Sequence, residues 1–386
     1  MGTGIIVRTG SYLRRLLRYI GPGFMIAVGY LDPGNWSVDM EGGSRFGYTL
    51  LFVILVSNVI AIFLQNLAIR LGTVSGLDLA AASRHHLPRP LNLFLYVISE
   101  IGIIMTDLAE VIGSAIALTL LFPSISLPMG VAITALDVLI ILLFYKEDQD
   151  GQHDMRFVHY FEWFVMALVS AVGICFIIEL TFSPVVMSDV MRGFLPSSDI
   201  FLDKDCLYVA IGIIGATVMP HNLFLHSFIV QSRCYEWRSQ RPLDDSEIVT
   251  ESALAPTLDS STLPKMKVDD DDDENDSTMV MIDERHNKRT IDQVRQELEE
   301  HVGNSLHYGL MDLVVALCFA FFINAAILIV ASANFHHEDS ATVMSDLFDA
   351  HGLLRQYIGP VAAFVFAIAL LCAGQSSTLT ATLAGQ

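Results

Sequence analysis

GYLDPGNW, residues 29–36, sets an acid, a proline, a glycine and an amide in succession inside one of the most apolar stretches of the chain. Asp32, Pro33, Gly34 and Asn35 each oppose a buried helix. In hydrocarbon an unpaired backbone group costs several kcal/mol, so a helix is interrupted at mid-depth only where the freed groups face a cavity or a ligand. Pro33 removes a donor and blocks the preceding turn, while Gly34 lets the backbone leave helical geometry. The break frees carbonyls beside Asp32 and Asn35. An acid at this depth costs about 2.5–3.5 kcal/mol on insertion scales, which marks Asp32 as a functional candidate. The competing reading is a structural carboxylate paired to a neighbouring helix.

The surroundings of this stretch are those of a membrane protein. Of 386 residues 53% are hydrophobic, mean hydropathy is +0.52, and many apolar runs reach bilayer-spanning length. The runs are continuous Leu, Ile, Val, Phe and Ala rather than alternating, which favours helices over a barrel. Eight spans are expected, at about 20–43, 47–70, 93–121, 124–145, 158–182, 206–231, 307–333 and 356–374. The fold class is therefore an all-α polytopic membrane protein. Cys175, Cys206, Cys234, Cys318 and Cys372 show no paired spacing and read as packing residues, not as a disulfide framework or a thiolate metal cluster. Arg14, Arg15 and Arg18 form a basic flank with no cleavable signal before the first span, so that span is expected to be its own anchor. Alternate loops hold Arg70, Arg84, Arg89, Lys146, Arg156, Arg233, Arg238 and Arg241, against scattered Arg45, Arg192, Lys204 and Arg355 on the other side. This bias predicts a cytoplasmic N-terminus.

The formal charge of −20 is unevenly spread, because nearly half of the acids lie between Cys234 and His301. That segment contains Asp269, Asp270, Asp271, Asp272, Asp273 and Glu274 in a row. It reads as a largely disordered cytoplasmic insertion with a short helix near 291–302, a solvated spacer or a regulatory, cation-sensing segment. The expected layout is an N-terminal cytoplasmic segment (1–19), helices one to five (20–182), an extracytoplasmic loop (183–205), helix six (206–231), the insertion (232–303), and helices seven and eight with the start of the following segment (304–386).

A second interruption falls in IIGATVMPHNLFLHS, residues 213–227, where Met219, Pro220 and His221 break the sixth span at its middle. Five spans separate the two breaks, the spacing expected when a five-helix unit is repeated with its first helix discontinuous. Paired breaks point to a substrate site between them. Asp32 offers a carboxylate oxygen, Asn35 an amide oxygen, the unwound backbone near Ala216 a carbonyl and Met219 a thioether. Oxygen alone suits Ca²⁺ or Mg²⁺, whereas a soft sulfur favours Mn²⁺, Fe²⁺, Co²⁺ or Cd²⁺. A methionine on an apolar helix is ordinarily core filler; its place directly before the helix-breaking Pro220 supports the ligand reading.

Asp-Pro-Gly-Asn in the first span and Met-Pro-His in the sixth resemble the two signature motifs of the Nramp family, proton-coupled transporters of divalent metals. DLAEVIGSA (107–115) and the terminal GQSSTLTATLAGQ (374–386) are also similar to family segments. The resemblance implies a LeuT-type fold, an inverted five-helix repeat with helices one and six discontinuous. It also implies Asp32, Asn35, Ala216 through its carbonyl, and Met219 as metal ligands. Gln386 falls inside the family's transport signature, so the second repeat is expected to be incomplete and the sequence to be truncated at its C-terminal end.

Asp107 and Glu110 share a face of span three, with Glu100 about two turns earlier. They could pair with adjacent helices or, with His221 and His226, form titratable stations for a proton. The resemblance supports the relay, with Asp32 exchanging protons, His221 nearby, and Asp107 and Glu110 as the exit. A dication arriving at a carboxylate displaces its proton, so metal and proton can be linked. His226 serves the same route or packing equally well. Asp137, Glu162, Glu179 and Asn324 read as helix-pairing or interfacial residues, and His336, His337, Glu338 and Asp339 as a solvated loop.

The function expected is secondary transport of Mn²⁺ or Fe²⁺ with protons toward the cytoplasm by alternating access. The alternative is a transport-dead, Nramp-like protein that senses or signals metal. No bond is made or broken, so an enzyme is not expected, and no GxxxxGKS loop suggests an ATP-driven pump. No resident cofactor is expected, the metal being cargo. The expected partners are divalent metal ions, protons and the bilayer. No nucleic acid is expected, the protein is expected to be monomeric, and its location is the plasma membrane or an endosomal or vacuolar membrane.

Overall fold

A computed structural model describes residues 21–144, 167, 170, 173, 174, 176–232, 291–336, 347–357 and 359–384. Contacts divide the protein into two compact units, Met1–Gln231 with Ser305–Gln386, and Ser232–Asn304. Among the described residues all regular structure is helical.

The first span is two half-helices. α1 (Pro22–Val28) ends at Gly29, and α2 (Pro33–Phe46) starts after an irregular stretch over 29–32. A 3₁₀ turn, Gly47–Leu50, leads into α3 (Leu51–Ser75). Then follow α4 (Leu79–His86), the long α5 (Arg89–Leu121) and α6 (Leu127–Phe144). Residues 176–182 are helical; most of the expected fifth span, with Glu162, lies outside the described residues. So do the side chain of Asp137, His337, Glu338, Asp339 and the hexa-acidic run.

The loop expected at 183–205 carries two short helices, α7 (Met187–Gly193) and α8 (Asp199–Leu202). Val190 and Ile200 from them join Leu50, Val209 and Ile213 in a buried cluster. The sixth span is again two half-helices, α9 (Lys204–Thr217) and α10 (Pro220–Ile229). α11 (Ile291–Phe335) is one unbroken helix where a separate short one was expected near 291–302. α12 (Leu347–Tyr357) precedes α13 (Pro360–Ala384), which runs beyond the expected end at 374. Its polar continuation stays helical because hydroxyls bond back to carbonyls of the preceding turn: Ser376 Oγ donates to Cys372 O and Thr378 Oγ1 to Gly374 O, both at 2.8 Å.

Among the described residues five helical stretches are long and apolar enough to cross a membrane: Pro33–Ser75, Arg89–Leu121, Lys204–Ile229, Arg295–Phe335 and Pro360–Thr378. The protein is an integral, multi-pass membrane protein. Small residues set the closest approaches. A Cβ on Gly113 of α5 would stand 2.2 Å from Pro33 Cβ, and one on Gly43 of α2 would stand 2.4 Å from Leu328 O of α11. Trp36, fully buried, packs edge-on to Phe176 at 4.8 Å and against Phe366 at 5.7 Å. The half-helix carrying the first break is thus held by α5, α11, α13 and residue 176.

Candidate metal site

The two breaks have the same local cause. Asp32 (φ −72°, ψ 161°) and Met219 (φ −92°, ψ 128°) are both extended and both precede a proline that occupies the first helical position. A residue before proline is pushed out of the α region, and proline at N1 gives up a donor that would be orphaned there anyway. At the first break the Asp32 carboxylate completes the cap. Its Oδ1 accepts from Asn35 N at 2.9 Å, and a Cβ on Gly34 would lie 2.9 Å from Asp32 Oδ2. Met219 makes no side-chain cap.

One side chain joins the breaks. Asn35 Nδ2 donates to Asp32 Oδ1 at 2.5 Å and to Ala216 O at 3.1 Å, and Thr217 Oγ1 donates to Asn35 Oδ1 at 3.4 Å. The amide therefore stands between a carboxylate oxygen of α2 and a carbonyl oxygen at the end of α9. Asp32, Asn35 and Met219 are buried, Met219 to 4% exposure, and Ala216 is half-buried. Among the described residues no three His, Cys, Asp or Glu residues gather as a metal cage. An ion held here would use one carboxylate with neutral donors, a set suited to passage more than to permanent residence.

The groups expected to serve the proton besides Asp32 sit on two helices. His221 in the first turn of α10 is fully buried with neither ring nitrogen hydrogen-bonded. On α5, Glu110 is fully buried, with the Ser377 hydroxyl of α13 beside its carboxyl. Glu110 lies within Coulombic reach of Asp32 and Asp107. Asp107 and Glu100 are half-buried.

Several residues near the breaks escaped the sequence reading. Asn222, buried with an unpartnered amide, lies where a Cβ on Gly29 would meet it at 2.3 Å, so the start of α10 abuts the end of α1. His226 Nδ1 lies 2.8 Å from Gln65 Oε1, and Gln65 Nε2 donates to Tyr30 Oη at 3.0 Å. Asn324 Nδ2 donates to Tyr30 O at 2.9 Å. The irregular stretch beside Asp32 is thus tied to α3, α10 and α11, and Asn324 pairs helices as its sequence context suggested. Asp312 of α11 accepts from Gly23 N at 2.7 Å, at the start of α1. Glu179 is buried, and among the described residues neither of its carboxylate oxygens has a hydrogen-bond partner. His336 is exposed, 3.1 Å from Ser44 O through Nδ1. Cys206 is buried but Cys318 is exposed, so packing does not describe every cysteine.

The description "Natural resistance-associated macrophage protein-like" matches residues 23–386. The chain belongs to the Nramp family. Proteins named divalent metal cation transporter MntH from Nostoc sp. and Xanthomonas campestris are each 42% identical over 382 residues, covering 99% of this chain and 70% of theirs. The manganese transporter of Eremococcus coleocola, solved with an aromatic bis-isothiourea substituted compound, is 32% identical with a TM-score of 0.69. That match covers 97% of this chain and 65% of the solved one, so this Nramp chain spans just under two thirds of the solved transporter's length. The fold is of the LeuT type, with two discontinuous helices whose breaks meet at Asn35 and Ala216. These Nramp relatives are named as transporters, not enzymes.

Proposed function

We propose that this Nramp protein moves divalent transition-metal ions, Mn²⁺ or Fe²⁺, toward the cytoplasm together with protons, by alternating access around the two broken helices. One observation carries the reading: the Asn35 amide bridges Asp32 Oδ1 and Ala216 O across the two breaks. Two oxygens that converge on an N–H₂ group can converge on a cation. Turned over, the same amide would present Oδ1 beside them. Met219, buried at the start of α10, adds a sulfur that a hard cation does not reward. The names of the relatives agree with this cargo. The lysine and arginine bias supports a cytoplasmic N-terminus. Asp32, His221, Glu110 and Asp107 are the groups assigned to the proton.

The test is Mn²⁺ uptake into proteoliposomes. The unmodified protein accumulates Mn²⁺, and Asp32→Ala abolishes uptake while the protein remains monodisperse in detergent. Persistent uptake in Asp32→Ala would place the site elsewhere, and no uptake by the unmodified protein would favour a metal-sensing role.

A further inference from the structure

Asp39 belongs to no part of the site described so far. It lies on α2 one turn beyond Asn35 and two beyond Asp32, and positions 32, 35 and 39 share one face of the helix. The axial distance from Asp32 is about 10 Å. Asp39 is 1% exposed, and its Oδ2 accepts no hydrogen bond. A buried carboxylate oxygen without a partner is costly, and an apolar side chain would fill the position without that cost.

The nearest cation in sequence does not neutralise it. Arg45 is taken by Glu41 at 2.6 Å and by Asp205 at 3.1 Å. The turn beyond Asp39 is closely packed. A Cβ on Gly42 would meet Leu50, Val209 and Ile213 at 3.1–3.7 Å, and one on Gly43 would meet α11 backbone. Asp39 also lies within Coulombic reach of Asp32. Two buried carboxyls on one helix face repel when both are charged, and a dication held beside them relieves that repulsion.

We propose that Asp39 is a second oxygen ligand for the transported cation, a station between the Phe46 end of α2 and the Asp32–Asn35 pair. The ion is a divalent metal that exchanges part of its hydration shell for carboxylate oxygen before reaching the sulfur. This inference rests on the transport reading.

The experiment compares initial rates of Mn²⁺ uptake in proteoliposomes for the unmodified protein, Asp39→Asn and Asp32→Ala. Asn keeps the shape and removes the charge. Asp39→Asn is expected to raise KM about fivefold or more while the saturating rate stays within about twofold, the signature of lost capture at low metal. The thermal midpoint in detergent should not fall. An unchanged KM overturns the inference, as does a lower saturating rate at constant KM with a lower thermal midpoint, which marks a structural carboxyl. If Asp32→Ala abolishes uptake and Asp39→Asn matches the unmodified protein, this inference alone falls. If the unmodified protein takes up no Mn²⁺, both readings fall.

Discussion

Asp32 and Met219 hold equivalent positions, each the last extended residue before an N1 proline, yet they terminate their half-helices differently. Asp32 caps its own helix, whereas Met219 spends no hydrogen bond there and leaves its sulfur uncommitted. A thioether is a weak ligand for Ca²⁺ and Mg²⁺ and a tolerable one for softer ions. Met219→Ala should therefore keep Mn²⁺ uptake and admit more Ca²⁺ or Mg²⁺, read as stronger inhibition of Mn²⁺ uptake by those ions in a competition assay. Unchanged selectivity would count against sulfur as a ligand. The break at Asp32 and Asn35 was legible in the sequence because an acid, a proline, a glycine and an amide inside an apolar run oppose a continuous helix. Asp39, Gln65 and Asn222 were not, since single polar residues inside helical windows leave the periodicity intact. Only packing reveals that Asn222 touches Gly29 and that Gln65 reaches Tyr30.

At the scale of elements, the break in span one is defined as much by α5 as by its own proline. Gly113 is the point of closest approach, with room for no Cβ beside the Pro33 ring. Gly113→Ala must push α5 and Pro33 apart, and overpacking of this kind costs about 1–3 kcal/mol. Because Pro33 follows Asp32 directly, the shift also disturbs the carboxylate. We expect a lower thermal midpoint in detergent and slower Mn²⁺ uptake together. Gly102→Ala on the same helix, where a Cβ meets nothing within 4 Å, should change neither. The broken helices could be read from proline and glycine at mid-span. The length of α13 could not, because serine and threonine look like a stop until their hydroxyls are seen returning to Cys372 and Gly374. α11 misled similarly, its charged first turns suggesting a separate helix.

For the whole molecule, the proposed transport raises the question of how metal movement would be tied to proton movement. The acids assigned to the proton lie on two elements, Asp32 at the start of α2 and Glu110 with the half-buried Asp107 on α5. Arg45, which pairs with Glu41 and Asp205, stands at the far end of α2. With no cation bonded to Asp32 or Glu110 among the described residues, a proton (net charge zero) and a dication (net charge +1) compete for the same carboxylate, and only one of them occupies it at a time. Under the transport reading proposed above, exchange between them couples the two fluxes. If Asp32 gives up a proton when metal arrives, and that proton leaves by Glu110 and Asp107, Mn²⁺ added outside proteoliposomes should acidify the lumen. The acidification, followed with a trapped pH dye, should need metal, vanish in Asp32→Ala and collapse with a protonophore. Glu110→Gln should weaken it more than it weakens Mn²⁺ uptake, because glutamine preserves the volume of the glutamate but carries no exchangeable acid. Acidification that tracks uptake one for one in Glu110→Gln would move the proton route off α5. Mn²⁺ uptake with no acidification in the unmodified protein would remove the coupling while leaving the metal site in place.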